Sequence, residues 1–253
     1  MKRKEAGAAA SFSATRAPAV AAIRTLAMLR RLGRIMLWGI GGFVIGSIVL
    51  VMLYRVLPPP GTPLMLLRLV QGYGIHKSWR SFDEISVNLV RAVMASEDAR
   101  FCRHRGFDWS AIGTAWDRYQ SGRGRLLGAS TISMQTAKNV FLWPGRDWLR
   151  KALEAYFTVL IEFAWGKRRI METYLNVVEW GRSLYGAEAA AQYYLHKPAG
   201  ALTADEAVRL AAVLPDPLDW SPRRPGRRLL ARSSSIHANM PAVPTALPLP
   251  CGR

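Results

Sequence analysis

The chain has 253 residues, 50% of them hydrophobic and 21% charged, which is too apolar and too weakly charged for a disordered protein and long enough for one ordinary domain with extensions or two small domains. Two cysteines exclude a disulfide-framework mini-protein and a cysteine-rich zinc module, and four scattered histidines without an HExxH pair argue against a metal site built on histidine. The 35 Lys and Arg against 17 Asp and Glu leave a net charge of +18, which favours an anionic partner: nucleic acid, an acidic membrane surface or a phosphorylated substrate.

The placement of that charge narrows the choice. Residues 1–35 hold eight basic residues and one acid, and a net +10 remains on residues 56–253. Between Arg34 and Arg55 runs an uncharged stretch, IMLWGIGGFVIGSIVLVMLY. As a helix rising about 1.5 Å per residue it spans roughly 30 Å, the thickness of a bilayer's hydrocarbon core. Trp38 and Tyr54 lie near its two ends, where amphipathic rings favour the interface. A cleaved signal peptide would be shorter and end in a small-x-small site, which Leu57-Pro-Pro-Pro does not supply. A buried core helix would carry some polar face. The expected organisation is a basic cytoplasmic tail over 1–34, a transmembrane helix over 35–55 and a Pro-rich linker over 56–63, with the body on the outer face, the periplasm of a diderm bacterium. That orientation removes nucleic acid as a partner of the body and leaves cell-wall chemistry, lipid-linked substrates or secreted proteins.

After the linker the periodicity is helical. Leu64–Val70 is a continuous apolar run, readable as a strand or as an amphipathic segment resting on lipid. Val87, Val90, Val93, Met94 and Glu97 recur at helical spacing behind Ser86, a possible N-cap. Further helices are predicted from near Ser130, over Asp147–Trp165, Arg168–Val178 and Ala187–Leu195, and from the capping box Thr203-Ala-Asp-Glu206 to Pro215. One mostly α domain over 64–220 accounts for this, followed by an irregular Pro-, Arg- and Ser-rich tail over 221–253. A bridge between Cys102 and Cys251 is not expected, because Cys251 falls in that tail.

Three groups of residues can carry chemistry. Glu97 completes an apolar stripe, which strips water from a carboxylate and suits it to proton transfer; a helix ending in a solvated acidic turn, Glu97-Asp98, is the plain alternative. Glu154 also lies on a largely apolar face, beside Arg150 and Lys151, where a surface i,i+4 pair is the plain alternative. Ser130, Thr131, Ser133, Gln135 and Lys138, followed by Arg146, Arg150 and Lys151, combine hydroxyls, a helix start and cations in a way that suits a phosphate or pyrophosphate, or else form a solvated basic face.

In combination these segments resemble the peptidoglycan glycosyltransferases. Glu97-Asp98-Ala-Arg-Phe101-Cys-Arg-His104-Arg-Gly106-Phe-Asp108 is similar to the family's EDxxFxxHxGxD, Gly128-Ala-Ser130-Thr131-Ile-Ser-Met-Gln135 to its GxSTxxQQ, Arg150-Lys151-Ala-Leu-Glu154 to RKxxE, and Lys167 to Asn176, with Tyr174 and Asn176, to KxxILxxYLN. The four occur in the family's order and, with Gly186-Ala-Glu-Ala-Ala, cover roughly residues 86–215. Met134 departs from the pattern, standing where a first Gln is usual, and so does Leu153, where some relatives carry a further cation. The family's last, arginine-containing element is only loosely echoed near Arg228–Ile236. The chain is too short for the transpeptidase domain that often follows, so it resembles the monofunctional branch.

The resemblance implies a lysozyme-like, mostly α fold behind a single N-terminal transmembrane helix, and an inverting polymerisation of lipid II into β-1,4-linked glycan with release of undecaprenyl pyrophosphate. Carried over residue by residue, Glu97 and Glu154 are catalytic. Ser130, Thr131, Gln135, Lys138, Arg146, Arg150 and Lys151 bind the substrate. Asp98, Phe101, His104, Gly106, Tyr174 and Asn176 shape the site. No protein-held metal is expected, although a divalent cation, Mg2+ or Mn2+, can accompany the pyrophosphate. The implied partners are lipid II, the nascent glycan strand, inner-membrane lipid and penicillin-binding or division proteins. The rivals are a wall-degrading hydrolase or lytic transglycosylase, which has no need of the basic hydroxyl-rich strip, and a non-catalytic membrane-anchored scaffold.

Overall fold

A computed structural model describes the backbone of residues 16–122, 130–243 and 251, and within these ranges the side chains from 28 onward. Gly128 and Ala129 of the second motif lie outside the described residues. Helix α1 (Arg16–Val56) contains the apolar stretch, and from Met28 to Val56 it is long and apolar enough to cross a membrane. Residues up to Leu50 form one compact unit and those from Val51 a second.

In the second unit the run after the linker is a helix, α2 (Pro63–Val70), not a strand. Pro63 fits the first helical position, and the Thr62 hydroxyl accepts from the Met65 amide. Only Met65 is buried, while Leu66, Leu69 and Val70 point outward. Helix α3 (Val87–Glu97) begins at Ser86, whose hydroxyl accepts from Asn88 N–H and donates to the Leu202 carbonyl. Its Leu89, Val90, Ala92, Val93 and Met94 are all but fully buried, packed chiefly against α9 (Ala204–Val213). The predicted Thr203/Glu206 capping box opens α9.

Helix α4 (Trp109–Gln120) is not among the predicted helices. It is capped by Asp108, and its Trp109, Ile112, Trp116 and Tyr119 fall at helical spacing, but the fold leaves that face largely outside the core and buries only Ala115. Helices α5 (Ile132–Phe141), α6 (Trp148–Ala164) and α7 (Gly166–Val177) pack on one another and bury Ile132, Ala137, Phe157, Ile161, Ile170 and Tyr174. Thr131 caps α5 and Asp147 caps α6. A small sheet of strands β1 (His76–Lys77), β2 (Glu179–Gly181) and β3 (Leu184–Tyr185) runs in the order β1-β3-β2, with β1 parallel and β2 antiparallel to β3. Gly186 starts α8 (Ala187–Leu195) at φ +85°, ψ 157°, and a Cβ there would meet the Asn176 carbonyl oxygen at 2.8 Å, so only glycine fits.

Two expectations about the C-terminus are corrected. The irregular tail expected over 221–253 contains α10 (Arg227–Asn239), packed against α3 and α9 through Leu229 and Ile236, each 2% exposed. The Ser233–Ser235 run hides this stripe, because only two apolar positions seven residues apart are needed to seat the helix. Cys102 and Cys251, expected to be unlinked, form a disulfide across 149 residues. Helix α10 runs antiparallel to α3, from Arg232 beside Glu97 to Met240, whose carbonyl accepts from Arg91, and the disulfide ties Cys251 to the turn after α3.

Candidate functional site

Glu97 is the last residue of α3, and its side chain is 14% exposed at the end of the helix. It is not a bare acid on an apolar wall. Oε1 accepts from the Arg232 guanidinium at 2.8 Å and from the Ser96 hydroxyl at 3.0 Å, and Oε2 accepts from the Gln135 amide nitrogen at 3.0 Å. Gln135 sits on α5 and Arg232 on α10, so three helices converge on one carboxylate. The Tyr174 hydroxyl donates to Gln135 Oε1 at 3.2 Å, which fixes the amide with its N–H2 toward Glu97. Tyr174 is fully buried; burial, and then the field of Glu97, push its phenol well above its usual range, so it stays a donor. Glu97, Ser130 and Thr131 line a cleft of 260 Å³.

Of the rest of the first motif, Asp98, Arg100 and Asp108 line this cleft, and the other residues brace it from behind. Asp98 presents both oxygens to His104 Nε2, at 2.9 and 3.0 Å, and Oδ2 also accepts the Ile132 amide at 3.0 Å, tying the end of α3 to the start of α5. Phe101 is fully buried, with the Lys167 ammonium 4.4 Å from its ring centroid. Arg100 makes two bonds to Asp108, at 2.8 and 2.7 Å. Gly106 has φ +89°, and a Cβ there would meet Thr158 Cγ2 at 2.8 Å; its carbonyl accepts from the Thr131 hydroxyl at 2.6 Å. Asn176 accepts from Arg80 N–H and donates to the Arg80 and Glu172 carbonyls, which pins α7 to the chain before α3.

The cationic side lies on α5 and α6. Glu154 is 4% exposed and holds Arg150 at 2.7 Å and Lys151 at 2.5 Å, so the i,i+4 pair is a buried one and not a surface decoration. Lys151 Nζ also stands 3.5 Å from the Ser130 hydroxyl. Lys138 is half-buried and forms no hydrogen bond or ion pair among the described residues. Burial lowers its pKa, the repulsion of Arg150 and Lys151 acts in the same direction, and Glu154 and then Glu97 oppose it. Lys138 lies one turn after Gln135 on α5, and Lys151 stands beside Ser130, which lines the Glu97 cleft, so the cationic side borders the Glu97 side. A group with two or more negative charges would relieve the repulsion at Lys138.

The structure does not gather every expected residue. Arg146 is exposed and pairs with none of these groups. Met134 is buried at 5% exposure, so at that position the departure from the family pattern places a thioether in the interior. Arg232 and Ser96 were missed; the only signal for Arg232 was the loose echo of the arginine-containing element near Arg228–Ile236. For a divalent ion the fit is poor: both Glu154 oxygens are committed to cations, and among the described residues no group of three or more His, Cys, Asp or Glu comes together.

Comparison with known proteins adds the family. The transglycosylase family model matches residues 66–241, past the end of α10. A biosynthetic peptidoglycan transglycosylase from Caulobacter vibrioides is 54% identical over 193 residues, 76% of this chain and 84% of the relative. One from Rhodospirillum centenum is 52% identical over 219 residues, 86% of this chain and 94% of the relative, and one from Pseudomonas putida is 47% identical over 84% of this chain and 91% of the relative. With most of its length matched by the model and about half its residues shared with these relatives across three-quarters or more of the chain, this protein belongs to the transglycosylase family.

Proposed function

We propose that this transglycosylase is a peptidoglycan glycosyltransferase of bacterial cell-wall synthesis, joining lipid II units into β-1,4-linked glycan and releasing undecaprenyl pyrophosphate. The observation that carries the reading is a held carboxylate, Glu97, in a cleft whose Ser130 stands 3.5 Å from Lys151, with Arg150 beside Lys151 and Lys138 one turn of α5 from Gln135. Cleavage of an uncharged glycosidic bond has no use for those cations; departure of a diphosphate does.

In this mechanism the acceptor's 4-hydroxyl attacks the anomeric carbon of the growing chain, and its proton passes to Glu97. Gln135 and Arg232 keep the receiving carboxylate oriented, and Tyr174 holds Gln135 in turn. The bond to the lipid diphosphate breaks on the opposite face, and the charge that develops there falls to Lys138, Arg150 and Lys151, with the Ser130 hydroxyl beside Lys151. Thr131 acts from behind, capping α5 and bonding Gly106. Glu154 neutralises and orients Arg150 and Lys151, so its part is to position the cradle. An α-linked diphosphate becomes a β link in one displacement, with one base and no covalent glycosyl-enzyme.

The apolar part of α1 anchors the enzyme in the inner membrane with the basic N-terminus in the cytoplasm and the catalytic body in the periplasm, a reading supported by the charge asymmetry about the stretch. The substrate's hydrocarbon tail stays in the same bilayer, so anchoring raises the effective concentration of one for the other. Incubation of the detergent-solubilised full chain with labelled lipid II tests the function: polymeric glycan with release of the lipid diphosphate is expected. Solubilised fragments from mature sacculi with no polymer from lipid II would replace this reading with wall degradation.

A further inference from the structure

A second cavity, of 840 Å³, opens between the Cys102–Arg105 turn and the junction of α6 with α7, and shares no lining residue with the Glu97 cleft. Its walls carry Arg103, Arg105, Lys167 and Arg168 against one acid, Glu162. That acid is already engaged, by Lys167 at 2.6 Å and by the Ser133 hydroxyl. Arg168 is paired with Asp83 at 2.6 Å. Arg103 and Arg105 are exposed, and neither side chain forms a hydrogen bond or ion pair among the described residues. The cavity is thus strongly positive, with two cations to spare.

Two further features separate this cavity from a plain basic patch. One wall is apolar: Val159 and Phe163, one turn apart on α6, are 56% and 93% exposed. Also lining it is His104, with its side chain 8% exposed and Nδ1 buried without a hydrogen-bond partner. Nε2 faces both oxygens of Asp98, so in the neutral ring the N–H sits there and Nδ1 is left as an acceptor for a hydroxyl. A free anion would leave Phe163 in water, and a hydrocarbon alone would leave the two arginines and Nδ1 unanswered. The complementary molecule bears a phosphate, a hydroxyl and a hydrocarbon chain together.

Its position in the fold agrees. Trp165, on the cavity wall, donates its indole N–H to the Val51 carbonyl at 2.7 Å, and Arg169 donates to the Tyr54 and Leu57 carbonyls at 2.9 and 2.7 Å. The α6–α7 junction is therefore fastened to residues 51–57, the part of the second unit that directly follows the apolar stretch in the chain.

We propose that this cavity binds an anionic, hydroxyl-bearing glycerophospholipid of the surrounding leaflet, with its phosphate between Arg103 and Arg105, a headgroup hydroxyl on His104 Nδ1 and its first acyl carbons along Val159 and Phe163. The proposal rests on membrane insertion of α1, and the test keeps the two apart. The delipidated full chain in detergent is exposed to phosphatidylglycerol or phosphatidylcholine of the same acyl length and examined by native mass spectrometry. Phosphatidylglycerol is retained about tenfold over phosphatidylcholine, because the choline cation is repelled by the same arginines that hold the phosphate and offers no hydroxyl to His104. The Arg103→Glu/Arg105→Glu variant loses that preference and keeps the wild-type circular dichroism. Equal retention of the two lipids, or a preference intact in the variant, overturns the proposal. So does displacement of phosphatidylglycerol by millimolar inorganic phosphate, which marks a free-anion site. Flotation with neutral phosphatidylcholine vesicles reports on the anchor alone. A wild-type chain that does not float loses the anchor, while one that floats without any phosphatidylglycerol preference loses only the lipid site.

Discussion

Glu97→Gln lowers the rate of glycan polymerisation by about 10²- to 10⁴-fold, the span of a lost general base, while lipid II still binds. The amide keeps the shape of the carboxylate and can still meet Gln135 and Ser96, but it cannot take a proton from the acceptor hydroxyl. Its cost to the fold is small. The Arg232–Glu97 pair has side-chain exposures of 30% and 14%, so losing its charge costs about 1 kcal/mol and not a collapse of α3, whose seat is the Leu89–Met94 stripe. Turnover and lipid II affinity measured on the same preparation separate the two effects. A variant that polymerises at close to the wild-type rate removes Glu97 from the chemistry.

Glu154→Gln produces a double loss. Arg150 has a side chain 9% exposed and is held by Glu154 at 2.7 Å, and truncating one partner of a buried pair costs about 3–5 kcal/mol because the other charge is left uncompensated. Lys151, 42% exposed, is released into solvent and no longer faces Ser130 in one fixed pose. The expected outcome is a lowered unfolding midpoint together with at least about a tenfold fall in kcat, since preorganised cations that wander stabilise the leaving diphosphate less. The double variant Glu154→Gln/Arg150→Met separates stability from catalysis. Removing both charges restores much of the midpoint but no activity. Recovery of activity along with stability would make the pair a structural device only.

What could be read in the sequence was what local chemistry dictates. Ser86 and the Thr203/Glu206 box sit where a helix start needs an acceptor, and both caps form. The run at 64–70 was ambiguous because an unbroken apolar stretch has no period, and Pro63 and the Thr62 cap decide for a helix. Helix α4 did carry a signal, Trp109, Ile112, Trp116 and Tyr119 at helical spacing behind the Asp108 cap, and it went unread; its apolar face is left largely exposed, with Trp109, Trp116 and Tyr119 in solvent.

The site shows the same division. Glu97, Gln135, Lys138, Arg150 and Glu154 stood within recognisable local patterns, and the fold brings them together. Arg232 lies 135 residues from Glu97 on a helix whose serine run masks its period, so its contact is a product of tertiary packing that no local pattern carries. The Cys102–Cys251 bond was missed on the same ground, since its two cysteines stand 149 residues apart and no local pattern joins them. Arg146 shows the reverse error: proximity in sequence to Arg150 placed it in the cationic group, whereas it precedes the Asp147 cap of α6 and stays in solvent.

The proposed mechanism requires one spatial relation, a base at Glu97 on one side of the reacting carbon and a diphosphate cradle on the other. A structure of the full chain with an unreactive donor analogue and lipid II bound together tests it. The acceptor's 4-hydroxyl is predicted within about 2.6–3.2 Å of a Glu97 oxygen, with the diphosphate touching Lys138, Arg150 and Lys151. A diphosphate seated elsewhere, or a hydroxyl out of reach while Glu97 bonds only to Gln135, Ser96 and Arg232, would contradict it.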